Sequence, residues 1–447
     1  MKIVRLVLLG VVVSALAACS IIPNPFRNEA REAEEAAERA GRVPLSIATE
    51  PLAADPDLAA VAVLLPDSEA ASDWPQAGGL PEKTPGHLAA AERFAVDWRI
   101  GAGEGSSRTK RLVSPPVVAD GKIFVIDAAQ SVRAFDASTG SRIWALKLEP
   151  PRRRDRTAVG GGLAVGGDKL LVSSGFGYLI ALSTADGSEI WRRRTDAPMS
   201  GAPAIQDGKA YVTSTNNEVY ALDIDTGAVT WNDQAIAETA RVLSSPSPAV
   251  SGDLMVAPFS SGELIAYLPA NGRRLWSDAL TTAGRFTPLS AINDIAGRPV
   301  ISEGVVYAAS QSGVLAAIEA RSGTRIWVQP FGSIQAPAVV GGFIFIVGVD
   351  GQVVCLDKLD GRVVWAEQLP QFKNEKSRKN RIVWTGPLVV SNKIVLVSSE
   401  GQAVALSPQT GEIQSTLKIG DPVYIEPIAA NGRVYVLTDD GRLVAIA

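Results

Sequence analysis

A glycine followed four residues later by a tryptophan recurs six times along this chain. The glycines end short polar turns, and the tryptophans lie in the apolar stretches that follow. The pairs are Gly140 with Trp144, Gly187 with Trp191, Gly227 with Trp231, Gly272 with Trp276, Gly323 with Trp327, and Gly361 with Trp365. A seventh turn ends at Gly411 but has Ser415 in the tryptophan position. Because successive glycines lie about 40–50 residues apart, the chain is expected to be an array of one repeated unit.

Each repeat predicts four short strands. In the first repeat, two apolar stretches, 117–119 and 122–125, are joined by a polar turn. An alternating third strand follows at 131–136, and a fourth at 142–146 comes directly after the glycine turn. Four short strands in about 45 residues are typical of one blade of a β-propeller.

The third strand of the unit recurs eight times, and the last copy has no fourth strand after it. The copies are centred near Phe135, Leu182, Leu222, Tyr267, Ile318, Leu356, Leu406 and Ile446. The stretch 96–100 reads as a fourth strand without a blade. We therefore predict an all-β fold over residues 73–447, an eight-bladed β-propeller of four-stranded antiparallel blades. Pairing of the N- and C-terminal strands would close the ring and remove its free edges.

The six repeated tryptophans are interpreted as structural residues. A large flat side chain at the same point of every blade buries about 150–250 Å² and can interlock neighbouring sheets. We expect them to pack between blades and not to bind a ligand.

Composition limits the classes of partner. The chain has 447 residues, of which 43 are Lys or Arg and 47 are Asp or Glu. Without a basic excess, a nucleic-acid partner is not expected.

The N-terminus carries a secretion signal. Lys2 and Arg5 precede the apolar run 6–16, which leads into Leu16-Ala17-Ala18-Cys19. This arrangement resembles bacterial lipoprotein precursors, so residues 1–18 are predicted to be a signal peptide and Cys19 the lipid-attachment residue. The alternative is an ordinary signal peptide with a chance cysteine. The apolar run is too short to span a bilayer. By the same resemblance, Ser20 favours the periplasmic face of the outer membrane.

Residues 19–72 are predicted to form a lipidated tether. Within it, 29–40 reads as a short charged helix, and the apolar stretch 58–65 is expected to pack on the propeller or on a partner. Cys355 is the second cysteine, and its apolar neighbours predict a core position. With Cys19 lipidated, no intrachain disulfide is expected.

A search for catalytic chemistry finds no candidate. His87 is the single histidine, which excludes histidine-based metal clusters and argues against a Ser-His-Asp triad. Acidic residues such as Asp136 and Asp223 fall in blade turns, where they are expected to cap the backbone. No catalytic residue, metal ligand or cofactor is predicted.

The repeat itself resembles that of the pyrroloquinoline quinone (PQQ) dehydrogenases, most clearly at 134–144, 221–231 and 317–327. Asp73-Trp74-Pro75-Gln76-Ala77-Gly78-Gly79 adds to this resemblance. In that family it implies a quinone and Ca²⁺ in the central funnel, held by Asp, Glu and Asn, commonly beside a vicinal disulfide that this chain cannot form. A periplasmic PQQ-dependent dehydrogenase, or a sensor of quinone or sugar, therefore stays as the alternative function.

The lipoprotein signal, the tether and the propeller together resemble the BamB family. This resemblance implies a non-catalytic scaffold lipoprotein of the BAM complex, which assembles β-barrel proteins in the outer membrane. The implied partners are a periplasmic POTRA domain of the BamA insertase, other BAM subunits and unfolded outer-membrane proteins.

The same resemblance marks two loops as partner-binding. One matches Ala240-Arg241-Val242-Leu243, in which the family's arginine is displaced and the apolar character remains. The other matches 293–296, which keeps one aspartate as Asp294 and has Ala296 in place of the second. Arg241, Val242, Leu243 and Asp294 are therefore the predicted contact residues.

Overall fold

The turns of the repeat divide the chain into short strands that pair with their neighbours in sequence. In the computed structural model these strands form eight four-stranded antiparallel sheets, which are the blades of a propeller. The structure describes residues 51–58, 60–152, 158–238, 241–281 and 292–447. The predicted signal peptide, Cys19 and the charged helix at 29–40 lie outside these ranges.

In each of the first seven blades the strands follow chain order from the central channel outward. The first, β1 (Val96–Gly101), belongs to the last blade. Blades 1 to 4 are β2 (Val117–Ala119), β3 (Lys122–Ile126), β4 (Ser131–Asp136) and β5 (Arg142–Lys147); β6 (Gly161–Gly166), β7 (Lys169–Ser174), β8 (Tyr178–Ser183) and β9 (Glu189–Arg194); β10 (Ala204–Gln206), β11 (Lys209–Thr213), β12 (Glu218–Asp223) and β13 (Val229–Gln234); and β14 (Ala249–Ser251), β15 (Leu254–Pro258), β16 (Glu263–Tyr267) and β17 (Arg274–Ala279).

Blades 5 to 8 follow the same plan. They are β18 (Val300–Ser302), β19 (Val305–Ala309), β20 (Leu315–Glu319) and β21 (Arg325–Gln329); β22 (Ala338–Val340), β23 (Phe343–Val347), β24 (Gln352–Asp357) and β25 (Val363–Gln368); β28 (Trp384–Val390), β29 (Lys393–Ser398), β30 (Gln402–Leu406) and β31 (Ile413–Lys418); and β32 (Ile428–Ala430), β33 (Arg433–Leu437) and β34 (Arg442–Ile446). A separate hairpin, β26 (Phe372–Asn374) and β27 (Lys379–Arg381), connects blades 6 and 7, and a 3-10 turn spans Pro56–Leu58.

The predicted ring closure is confirmed. The strand β1 pairs antiparallel with β34, so that Arg99 lies opposite Val444 and Ile100 opposite Leu443. Blade 8 is thus built from both ends of the described chain, and its third strand has a partner on each side.

The hydrophobic core lies between the blades. Each buried cluster joins two neighbouring sheets, and one cluster continues through blades 7, 8 and 1. Middle strands such as β23 are buried along their whole length, whereas outer strands such as β5 alternate between exposed and half-buried residues. Cys355, on β24, is fully buried as predicted, and burial raises the pKa of its thiol.

The repeated tryptophans pack on the glycines of the next blade, which explains the pairing of the two residue types. A Cβ added to Gly187, Gly227, Gly272, Gly323, Gly361 or Gly411 would lie 2.5–2.7 Å from the tryptophan of the preceding blade. Each of the six indole N–H groups also donates to a backbone carbonyl in the next blade. The tryptophans therefore link the blades in one direction around the ring.

Trp98 and Ser415 complete this pattern. Trp98, on β1, lies opposite Ala445, as Trp144 lies opposite Ala134, and its ring lies against Gly140 of blade 1. Ser415 would have to cover a glycine turn of blade 8. Blade 8 has none, because its fourth strand comes from the other end of the chain.

Part of the predicted tether packs on the propeller. Leu58 and Val63 are buried in the core between blades 6 and 7, and Leu52 exchanges two hydrogen bonds with the side chain of Gln352. As a result, the outer strand β25 begins with three buried residues, unlike the other outer strands. The compact unit thus begins ahead of the boundary predicted at residue 73.

Residues 71–91, which we call the inner segment, run across the free inner edges of the blades. Trp74 exchanges two backbone hydrogen bonds with Val118 of blade 1. The segment goes on to bond with inner strands or their turns in six further blades; the residues bonded are Val165, Ile205, Val250, Ile301, Val389 with Ser391, and Asn431 with Gly432. One end of the central channel is therefore filled by backbone.

In the part of the chain that the structure describes, no helix is long and apolar enough to cross a membrane.

Candidate functional site

The alternation of strand direction gives the ring two different faces. The glycine turns between third and fourth strands lie on one face, which we call the turn face. The longer connections between blades lie on the opposite face, which we call the loop face. Both stretches predicted to bind a partner, 241–243 and 293–296, are connections of this second kind.

The structure brings the two predicted loops together. The backbone N–H of Val242 donates to Asp294 Oδ2 at 2.7 Å, although the residues are 52 positions apart. The guanidinium of Arg241 turns toward blade 3 and donates to the carbonyl oxygen of Thr215. Both charged residues therefore hold the loop in place through bonds to backbone atoms.

Asp294 is inside the protein. It is 4% exposed, and burial raises the pKa of its carboxyl to about 6, against the lowering effects of the Val242 N–H and of the Arg241 charge. The carboxylate is therefore not at the surface where a partner would contact it.

Leu243 is presented outward by this arrangement. Its side chain is 57% exposed. Val242 and Leu243 line two cavities at once: one of about 80 Å³ over blades 2 to 4, and one of about 110 Å³ at the centre of the ring. Tyr424, on the far wall of the central cavity, is 48% exposed.

Besides the predicted Leu243, the loop face thus carries two exposed apolar groups that sequence reasoning missed, Tyr424 and Ile236. Besides Leu243 and Tyr424, Ile236 is 66% exposed on the connection after blade 3, and Asn217 anchors that connection by donating to the Ile236 carbonyl at 2.7 Å. Ile236 and Tyr424 lie in connections between an outer strand and the next inner strand, and this position in the repeat could have identified them as loop-face residues. Exposed apolar side chains around a concave centre are suited to protein binding.

The resemblance to the PQQ dehydrogenases implies calcium and a quinone in the central channel. Such a group needs several carboxylate or amide oxygens around one point. Among the described residues, no group of three His, Cys, Asp or Glu side chains could hold a metal ion. Glu426, which lines the central cavity, is bonded to Arg298. The donors at the channel therefore do not fit that group.

Fold and site together define an eight-bladed propeller of PQQ-like repeats, with a channel filled at one end and an apolar loop face at the other. Within this class, the chain belongs to the family of the outer membrane protein assembly factor BamB. The family model matches residues 95–154, 128–367 and 370–447.

Individual relatives agree with the family. The outer membrane protein assembly factor BamB of Xanthomonas campestris is 28% identical over 353 residues, 78% of this chain and 84% of the relative. The crystal structure of BamB from Moraxella catarrhalis has a TM-score of 0.66 at 19% identity, covering 78% of this chain and 98% of that one.

The dehydrogenase fold is similar as well. A europium-containing methanol dehydrogenase has a TM-score of 0.65 at 14% identity, covering 82% of this chain and 89% of that chain. At this identity the likeness concerns the fold alone, and it accounts for the quinoprotein character of the repeat.

Proposed function

We propose that this protein is a non-catalytic scaffold in the assembly of outer-membrane β-barrel proteins. Membership of the BamB family carries the proposal. Its partner would be a POTRA domain of a BamA-type insertase, bound on the loop face, with other BAM subunits and unfolded outer-membrane proteins as further partners.

The loop face supplies the chemistry that such an interface needs. Leu243 and Tyr424 are large, exposed and set on opposite walls of the central cavity. Apolar anchors of this kind carry most of the energy in protein interfaces, whereas a surrounding polar rim contributes mainly to specificity. We assign direct contact to Val242 and Leu243, and a positioning role to Asp294 and Arg241.

The proposed location rests on the resemblance of the N-terminal sequence to lipoprotein precursors. A lipid on Cys19 would hold the protein at the periplasmic face of the outer membrane, near the insertase. An acyl chain anchors a protein to a bilayer without a spanning helix. Mass spectrometry of the membrane-extracted protein checks this directly, since Cys19 would be the modified first residue of the mature chain.

The dehydrogenase alternative has no support from the channel donors described above. Adding PQQ and Ca²⁺ to the purified protein tests it. A raised melting temperature together with dye-linked alcohol oxidation would favour the enzyme over the scaffold.

Leu243→Asp tests the proposed interface. A charge at this exposed position should leave the fold intact and lower co-purification of the insertase by tenfold or more, because an anchor at the centre of an interface contributes about 2 kcal/mol or more. The measurement is the amount of insertase recovered with the tagged protein from detergent-solubilised membranes.

Leu359→Asp is the matched control. Leu359 is 78% exposed in a turn on the opposite face, so the same substitution should leave recovery unchanged. Equal recovery with both variants, each shown to be folded, would contradict the assignment of the loop face.

A further inference from the structure

A group of buried charges lies where the inner segment meets the central channel. Lys83, on the inner segment, is 3% exposed. Together with Arg298 and Glu426 it lines a cavity of about 30 Å³. The central cavity of about 110 Å³ shares Arg298 and Glu426, so their ion pair separates the small cavity from the one that opens among the loops.

The charges in this group do not balance. Arg298 and Glu426 form an ion pair whose side chains are 14% and 17% exposed. The Lys83 ammonium has no carboxylate partner among the described residues, and its Nζ reaches Gln76 Oε1 at 3.5 Å. Glu82, its half-buried neighbour, acts on it only from a distance. An isolated charge in such a place costs several kcal/mol unless it is compensated.

Two polar atoms near the Arg298–Glu426 ion pair lack partners, one of them on the side of the central cavity. Arg298 Nε and Thr385 Oγ1 are buried and make no hydrogen bond to the described residues. Thr385 lines the central cavity beside Arg298. A buried donor without an acceptor is destabilising, and an acceptor bound in the small cavity would satisfy Arg298 Nε.

Gly78 lets the two cations approach each other. Its φ is +76°, and an added Cβ would lie 3.0 Å from Arg298 Nε and 3.0 Å from Lys83 Cδ. Since both side chains pack on the same bare Cα, they border one small space. Burial lowers the pKa of Lys83 well below its ordinary value, and the charge of Arg298 adds to this effect, while Glu426 and Glu82 oppose it.

We propose that this space binds one small monovalent anion, a halide or a carboxylate of the size of formate, between Lys83 and Arg298. One negative charge would oppose the effect of burial, keep Lys83 protonated and balance it as the second cation, whereas a divalent anion would leave an excess of negative charge. A volume of about 30 Å³ is that of a single water-sized group. The bound anion would join the inner segment to the loops that precede β18 and β32.

Anion replacement at constant ionic strength tests the site. In the purified protein at neutral pH, sodium gluconate is replaced stepwise by sodium chloride or sodium formate while thermal unfolding is followed. Gluconate is too large for the cavity. We expect the melting temperature to rise by about 2–4 °C and to saturate. The anion that saturates at the lower concentration identifies the ligand as halide or carboxylate, and sulfate should give no saturable rise.

Lys83→Met removes the charge and keeps the length of the side chain, so it should abolish the saturable rise. Lys376→Met, on the exposed hairpin, should retain it. An equal rise in the Lys83→Met protein, or no rise in the unmodified protein, would overturn the proposal.

Crystals grown in bromide give a second readout that does not depend on whether Lys83→Met folds. An anomalous difference peak between Lys83 Nζ and Arg298 supports the site. An empty or water-filled cavity in bromide would refute it.

Discussion

Asp294 shows how a residue chosen from sequence for contact can act from inside the protein. Its carboxylate accepts the Val242 N–H and faces the charge of Arg241, so it fixes the loop that exposes Leu243. The cost is a buried acid whose pKa is raised to about 6. Protonation of the Asp294 carboxyl therefore changes the group that holds the loop at Val242.

Asp294→Asn should stabilise the protein at neutral pH. In the folded state the pKa of about 6 lies above the ordinary value of about 4, so the folded state binds more protons between these pH values. The contribution of Asp294 to stability therefore falls as pH rises from about 4 to 6. Asparagine keeps an acceptor for the Val242 N–H and removes the charge, which should raise the free energy of unfolding at pH 7.5 by roughly 1–2 kcal/mol.

Urea titrations at pH 5 and pH 7.5 measure this effect, and Asp253→Asn, at an exposed turn, is the control. We expect the gain to be smaller at pH 5 and absent in the control. A loss of stability at both pH values would show that the charge itself is needed.

At the scale of elements, the glycine turn and the tryptophan strand act together although they belong to different blades. A Cβ added to Gly272 would lie only 2.5 Å from the indole of Trp231. The sequence spacing pairs Gly272 with Trp276, but that spacing only reflects the turn and strand of one blade. The packing contact runs between successive blades.

Gly272→Ala and Gly208→Ala separate packing from backbone strain. Both glycines have nearly the same positive φ, +74° and +72°, but an added Cβ at Gly208 meets nothing within 4 Å. Gly208→Ala should cost about 1 kcal/mol from strain alone. Gly272→Ala should cost about 1–3 kcal/mol more, because the indole of Trp231 must move. Equal losses in the free energy of unfolding, measured by chemical denaturation, would show that the indole of Trp231 can move aside without destabilising the protein.

The strands and blades could be predicted from the sequence, whereas the contacts between blades could not. Turn glycines and alternating strands are local signals, so they predicted eight blades and the pairing of 96–100 with the last strand. The packing role of Trp98 was missed because no glycine turn precedes it: Phe94 stands four residues before it, where the other repeats have glycine. The burial of Asp294 was missed because it arises from packing against blades 3 and 4, which no local pattern records.

At the scale of the whole molecule, the ring depends on strand pairing across its ends. The strand β1 pairs with β34 from Val96 to Gly101, with one register shift between Val96 and Trp98, and the inner segment bonds to seven blades. Because each blade packs on two neighbours, loss of one strand weakens the packing of that blade against both of them. Stability is therefore shared around the ring.

Removing residues 440–447 should abolish cooperative unfolding. It deletes β34, which leaves β1 without a partner and β33 paired with β32 alone, so two free edges that invite aggregation are exposed. Circular dichroism and light scattering during heating would show a broad transition with aggregation. Replacing 374–379 of the exposed β26–β27 hairpin with two glycines shortens the chain outside the blades and should preserve a sharp transition. A sharp transition in both variants would contradict the role of the closure.

The order of the strands also bears on how the protein is made. The inner segment and β1 leave the ribosome before any complete blade, and β34 leaves after the other strands of the ring. Successive blades can therefore gather around a segment that is already present, but the ring cannot close until the last strand is released. A chain whose synthesis stops before β34 keeps an open edge at β1. Only a chain translated through β34 can therefore form the closed ring.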